Sequence, residues 1–241
     1  MNLIIDIGNT RVKIAVFENS KLIHSKSINK ENIVIEAVQL INKFGCSNAI
    51  ISSVVKIKKT QITKLQAIIN LIILSSETKI PFINKYSTPK TLGMDRVALV
   101  SAAVTLFSNK NVLVIDTGTC ITYDYVDIDT CYYGGAISPG IQMRYKSLNK
   151  FTENLPLLEP KYTNQLIGES TDSCIHTGVI KGTISEIDSF INCYRKKNKD
   201  LTVVLTGGDT KFLANRLKNS IFANPIFLLE GLNAILTYNI Q

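Results

Sequence analysis

Along this chain the spacing of apolar residues switches between the strand and helix periods, and each switch marks an element. Short apolar runs rich in β-branched residues predict strands over 2–7, 12–18 and 21–28. Ile33, Ala37, Leu40, Ile41 and Phe44 then recur at helical spacing, which predicts a helix over 31–43. A strand over 49–55 and a second amphipathic helix over 58–71 follow. A polar connector, Ser75–Pro81, and Pro89 lead to a strongly apolar helix, Arg96 to Phe107. From about Asn111 the pattern starts again, with strands over 112–116, 120–126 and 131–138. Pro139-Gly140 introduces a helix containing Met143 and Leu148, and a long helical region runs from Thr171 to Lys197. Leu201 to Thr206 reads as a strand, Gly207-Gly208 as a turn before a helix near Asp209, and Glu230 to Tyr238 as a last helix.

The restart is also visible in detail. Leu3-Ile4-Ile5-Asp6-Ile7-Gly8-Asn9-Thr10 and Leu113-Val114-Ile115-Asp116-Thr117-Gly118-Thr119-Cys120 share one layout, 110 positions apart. Each is a buried-type strand ending in Asp, any residue, Gly and a small polar residue, followed by a second strand. An Asp at a strand end, beside the free N–H groups of a tight turn, suits a metal-bound polyphosphate. Alone, either copy reads as a hairpin with a capping Asp; together they suggest two related domains gripping one nucleotide. The expected organisation is a duplicated α/β architecture, domains 1–110 and 111–241, with the site in the cleft between them. The last helix could pack back on the first domain.

Composition narrows the class. With 45% apolar and 19% charged residues the chain can build a substantial core, and wholesale disorder is excluded. The longest apolar run, Ala67 to Leu74, contains Asn70 and is too short to span a bilayer. Asp6 interrupts the first apolar run and no basic leader precedes it, so a secretory signal is not expected and a cytoplasmic protein is. The formal charge of +8 comes from scattered lysines with brief clusters at Lys56–Lys59 and Arg195–Lys199. That scatter reads as a solvated surface, with no nucleic acid and no membrane among the expected partners. Five cysteines without a C-x-x-C pair, and two histidines, argue against both a disulfide framework and a zinc site.

Three segments could carry chemistry, each with a plainer alternative. Neither G-x-x-x-x-G-K-[ST] nor G-x-G-x-x-G occurs, so a nucleotide would have to be held by the backbone of Gly8–Thr10 and Gly118–Cys120. Lys13, on the strand after the first turn, could neutralise phosphate or simply be exposed. Thr206-Gly207-Gly208-Asp209 could admit a flat ligand, or be a tight turn with Asp209 as N-cap. Gly93-Met94-Asp95-Arg96 could be a helix cap with a surface ion pair. Alternatively, Asp95 takes a proton from a substrate hydroxyl while Arg96 holds an anionic group.

The combination resembles the acetate/sugar kinase, actin and heat-shock ATPase superfamily, and within it the type III pantothenate kinases. The likeness spans the chain: Asp6–Thr10, Tyr86 with Pro89 and Leu92–Arg96, Asp116–Thr119, Gly134–Gly140, Leu155-Pro156, Gly168–Thr171 and Thr206–Asp209, in that order. The resemblance implies duplicated actin-like (ribonuclease H-like) domains and ATP-dependent phosphorylation of pantothenate, the first committed step towards coenzyme A. It assigns ATP binding to Asp6, Ile7, Gly8, Asn9, Thr10, Arg11, Val12, Lys13 and Thr119. Pantothenate falls to Tyr86, Gly93, Met94, Asp95, Arg96 and Thr171, with Asp95 as catalytic base. Asp116 is implied as ligand of a monovalent cation, K⁺ or NH₄⁺, and Asp6 as a site for Mg²⁺; a homodimer is implied as well. Cys120 departs from the small or hydroxylated residue usual after Thr119, placing a thiol beside the nucleotide. Two rival readings remain at this point: another kinase or phosphohydrolase on the same scaffold, and a nucleotide-sensing regulator or DNA-associated factor.

Overall fold

The computed structural model describes residues 1–8, 11–55 and 57–241. The chain separates into two compact units, Met1–Ser108 with Thr130–Tyr132 and Ile226–Gln241, and Asn109–Asp129 with Tyr133–Pro225.

In the first unit β1 (Asn2–Ile7), β2 (Val12–Glu18) and β3 (Lys21–Ile28) form an antiparallel meander. After α1 (Ile33–Phe44), β4 (Asn48–Ser53) joins β1 in parallel, giving the sheet order β3-β2-β1-β4-β5 once β5 (Asn70–Ile73) is added. The central strands are buried on both faces, which is why they read as unbroken apolar runs. Leu3, Ile5 and Ile7 of β1 and Ile14 and Val16 of β2 pack with Ile33, Ala37 and Leu40 of α1 and Leu65 of α2 (Lys59–Gln66). A short β6 (Ile83–Asn84) pairs in parallel with Cys131 and Tyr132. The apolar α3 (Met94–Leu106) packs along the C-terminal helix, Phe227–Ile240.

The helix expected over 58–71 is corrected. It stops at Gln66, and Asn70–Ile73 is a strand paired in parallel with Asn48–Ile51. Ile62, Leu65 and Ile69 fit helical spacing, but Leu71, Ile72 and Ile73 complete a sheet edge that the helical count cannot see. Pairing with β4, including an Asn70 Nδ2 bond to Asn48 Oδ1 at 2.9 Å, overrides the periodicity.

The second unit repeats the plan. β7 (Val112–Thr117) and β8 (Cys120–Val126) are antiparallel, and β9 (Cys131–Pro139) lies beyond β8. After α4 (Ile141–Lys150), α5 (Thr171–His176) and α6 (Gly182–Lys197), β10 (Thr202–Thr206) joins β7 in parallel. The one-turn α7 (Thr210–Leu213) leads to β11 (Phe222–Ala223), parallel to β10, and the C-terminal helix is α8. Within the six-stranded order β6-β9-β8-β7-β10-β11, the strands β9-β8-β7-β10-β11 follow the first sheet strand for strand, and β6 is the addition. The long helical region over 171–197 is continuous but contains a π turn at Thr177–Lys181. Among the described residues, no helix is long and apolar enough to cross a membrane.

Candidate active site

Asp6 stands near the end of the first central strand, with Lys13 opposite it on β2 and the buried Ser52 opposite it on β4. The turn that follows is closed by Gly8 N–H donating to the Arg11 carbonyl at 3.1 Å. Ile7 and Val12 point into the core, whereas Arg11 is exposed. Asn9 and Thr10, both assigned to ATP, lie outside the described residues. The Asp6 carboxyl is raised from the usual 3.8 to about 6: burial disfavours its charge, Lys13 partly offsets this, and the negative Asp95 adds to the rise. Asp95 therefore lies close enough for its charge to be felt at Asp6. This is the link between two segments that sequence spacing could not connect.

Asp95 is in the first turn of α3, whose N-cap is Gly93. Its Oδ1 accepts the Arg96 N–H at 2.8 Å, and Gly93 makes no side-chain cap bond. Arg96 is only 6% exposed, so the pair is not a surface one, while the Asp95 bond to the Arg96 N–H is of the capping kind. Its guanidinium lies 5.6 Å from the Tyr86 ring centroid, a cation–π distance. Tyr86 is fixed in turn by its N–H bond to Asn84 Oδ1, 2.9 Å, and by its ring beside the fully buried Tyr132, 6.1 Å away at 22°. Tyr86 is thus joined to Arg96, and the adjacent Asp95 is coupled by charge to Asp6, which Lys13 also influences.

Because the folded Asp6 carboxyl titrates near 6 and an unfolded one near 3.8, its ionisation costs the fold. The penalty is absent below about pH 4 and complete above about pH 7. Asp6→Asn removes it. Chemical unfolding of ligand-free protein should show the variant gaining relative stability as pH rises between those limits, by about 2–3 kcal/mol. A pH-independent difference would show that burial of the charge is unimportant.

In the second unit three turns meet. Thr206 is in register with Asp116 on the parallel strand, so the Thr206–Asp209 turn lies beside the Asp116–Thr119 turn. Asp209 N–H donates to the Thr117 carbonyl at 3.0 Å, and Thr117 Oγ1 donates to the Thr206 carbonyl at 2.8 Å. Gly207 adopts φ +97, and a Cβ there would fall 2.3 Å from Asp116 Oδ1. A side chain there would collide with that carboxylate oxygen. From the other side, Gly140 N–H donates to the Thr119 carbonyl at 3.1 Å. Thr119 is exposed and Cys120 half-buried.

Asp209 occupies the N-cap position of α7 without a side-chain cap bond, and burial raises its carboxyl above the usual range. Sequence spacing gave Asp209 only a capping role. Its proximity to Asp116 follows from β7 and β10 being parallel neighbours, which the sequence does not state. Thr171 opens α5 beside a capping box of Ser170 and Ser173. It lines a cavity of about 660 Å³ with Arg144, Leu148, Leu155 and Cys174, whose walls do not include the turn residues.

The donor sets fit cations. Asp6 and Asp95 bring two mutually repelling carboxylates within reach of each other's charge, the one or two carboxylates that Mg²⁺ takes from a protein. Asp116 Oδ1 and the Thr117 carbonyl oxygen both lie against Gly207, oxygen donors of the kind an alkali cation takes.

The family model for type III pantothenate kinase matches residues 2–193. A type III pantothenate kinase of Christiangramia forsetii is 49% identical over 240 residues, 99% of each chain. Among solved structures, a Campylobacter jejuni protein described as a Baf family transcriptional activator matches at TM-score 0.66 and 22% identity, over 99% of this chain and 98% of its own. A ROK family glucokinase from Streptomyces griseus, in complex with glucose and AMPPNP, matches at TM-score 0.52 and 9% identity, over 100% and 99%. At such identities the two structures speak for the fold alone, which is the duplicated actin-like α/β fold.

Proposed function

The chain belongs to the type III pantothenate kinase family, and from that premise we infer how its residues carry the reaction. It transfers a phosphoryl group from ATP to pantothenate, the step that opens coenzyme A biosynthesis. Asp95 acts as general base. It accepts the proton of the pantothenate primary hydroxyl as that oxygen attacks the γ-phosphorus and the bond to ADP breaks. The observation that carries this reading is the electrostatic contact of Asp95 with Asp6, which brings acceptor-side and phosphate-side carboxylates into one cluster.

Lys13, Gly8 and Arg11 bind the polyphosphate on this reading, as does Thr119 of the second unit; Asn9 and Thr10, assigned the same role, lie outside the described residues. Asp6 holds Mg²⁺, and Asp116 the monovalent cation, K⁺ or NH₄⁺. Bound cations supply positive charge where negative charge builds up on the transferring group. Arg96, held against Tyr86, pairs with the pantothenate carboxylate, and Gly93, Met94 and Thr171 are further pantothenate residues on this reading. An intact Asp95 next to Asp6 favours an enzyme over a nucleotide-sensing factor that has lost its base.

The homodimer belongs to the same reading. Phe151, Leu166 and Ile167 are 81%, 80% and 77% exposed, large apolar side chains of the kind a second copy would cover. The setting is the cytoplasm, with neither nucleic acid nor membrane as partner.

The test is direct. Purified protein, ATP, Mg²⁺ and pantothenate, with and without K⁺, should yield 4′-phosphopantothenate by mass spectrometry. Absence of that product under every cation condition would move the assignment to another kinase on the same scaffold.

A further inference from the structure

We propose that Glu186 is a positioning residue for the nucleotide: through Ser138 and Arg144 it fixes the backbone segment that buttresses the Thr119 turn. The proposal rests on the reading that this turn contacts ATP. Glu186 lies on α6 and does not belong to the turn itself. Its Oε1 accepts from Ser138 Oγ at 2.5 Å and from the Tyr123 hydroxyl at 3.0 Å, and its Oε2 accepts from Arg144 Nη2 at 2.6 Å. Arg144 also donates from Nε to the Pro139 carbonyl at 2.8 Å. One carboxylate therefore holds Ser138 directly and Pro139 through the guanidinium. The next residue, Gly140, gives its N–H to Thr119 and has no room for a side chain. A Cβ there would stand 2.3 Å from the Gly118 carbonyl oxygen and 2.4 Å from that of Thr119.

The carboxylate is built for this task. Burial opposes its ionisation, yet the bonds from Ser138, Arg144 and Tyr123 outweigh burial and hold it below the usual range. Tyr123 is wholly buried, stacked on Phe190 at 4.2 Å, and its strand begins at Cys120, directly after Thr119. Both chain segments leaving the Thr119 region, β8 and the β9–α4 junction, are thus tied to the same anionic group. Two charge-assisted bonds, on Ser138 and on Pro139, limit the positions open to the N–H of the next residue, Gly140.

Glu186→Gln keeps the shape and the acceptor for Ser138 but loses the charge that orients Arg144. Ser138→Ala removes one tie and leaves the buried phenol bonded. Each should raise KM for ATP by about tenfold while KM for pantothenate stays within about twofold. A residue with a merely structural role would lower the active fraction, and hence kcat, without separating the two KM values. Glu186→Asp, too short to hold both partners, should raise KM for ATP at least as much as Glu186→Gln. If Glu186→Gln and Ser138→Ala both leave KM for ATP unchanged, or move both KM values together, the proposal is overturned. Thr119→Ala separates the two readings. A raised KM for ATP in this variant alone would keep the turn and discard Glu186, whereas no change in any of the three would discard both.

Discussion

Asp95→Asn should lower kcat by about two to four orders of magnitude while leaving both KM values close to those of the native chain. The amide keeps the carboxylate's size, and its oxygen can still accept the Arg96 N–H that Asp95 Oδ1 accepts at 2.8 Å, so the head of α3 has no reason to rearrange. What disappears is the proton acceptor. A second effect is independent of turnover. Asp95's charge contributes to the raised carboxyl of Asp6, so the variant should shift Asp6 down from about 6. The stability profile described for ligand-free protein would then move to lower pH. Steady-state rates and unfolding at a series of pH values test the two separately. Full pantothenate-dependent turnover would remove Asp95 from the chemistry. A fixed Asp6 titration would show that the two carboxylates are not coupled.

Gly231→Ala should be among the most destabilising single methyl additions in this chain. A Cβ on Gly231 of α8 would fall 1.8 Å from the Ala98 carbonyl oxygen and 2.5 Å from its carbon, with Ala102 Cβ at 3.3 Å. The obstruction is backbone on α3, so no rotamer change relieves it and the two helices must separate. Ala favours helix over Gly by about 1 kcal/mol, which opposes the clash but is the smaller effect. A net loss of about 3 kcal/mol is expected, lowering the melting temperature by about 6–12 °C. Because α3 also carries Asp95 and Arg96 at its start, kcat should fall in the folded fraction as well. Unchanged thermal unfolding would mean that α3 and α8 do not approach as closely as the backbone positions require.

Much of the fold was legible. β1, β2 and β3 were predicted at their observed bounds because each is a β-branched run closed by turn residues. The duplication was legible too, since Asp6-Ile7-Gly8 and Asp116-Thr117-Gly118 end equivalent strands of two sheets with one strand order. The β5 edge was not, since Leu71–Ile73 is a strand only when β4 is beside it. Neither β6 nor β11 was visible, each being two residues long and defined by its pairing partner alone.

For the site, the sequence by itself determined which side chains are available. Asp6, Lys13, Asp95, Arg96, Asp116 and Thr119 were identified from local motifs, because tight turns and helix starts are written in consecutive residues, whereas Tyr86 came only from the family resemblance. Only the tertiary structure decided their company. Asp95 came to influence Asp6 across many intervening residues, Arg96 proved buried against Tyr86, and Asp209 was drawn to the Asp116 turn by parallel pairing of β10 with β7. The physical reason is one of range. Turn geometry and apolar period act over a few residues, whereas burial and charge act through space between segments that only the folded sheet brings together.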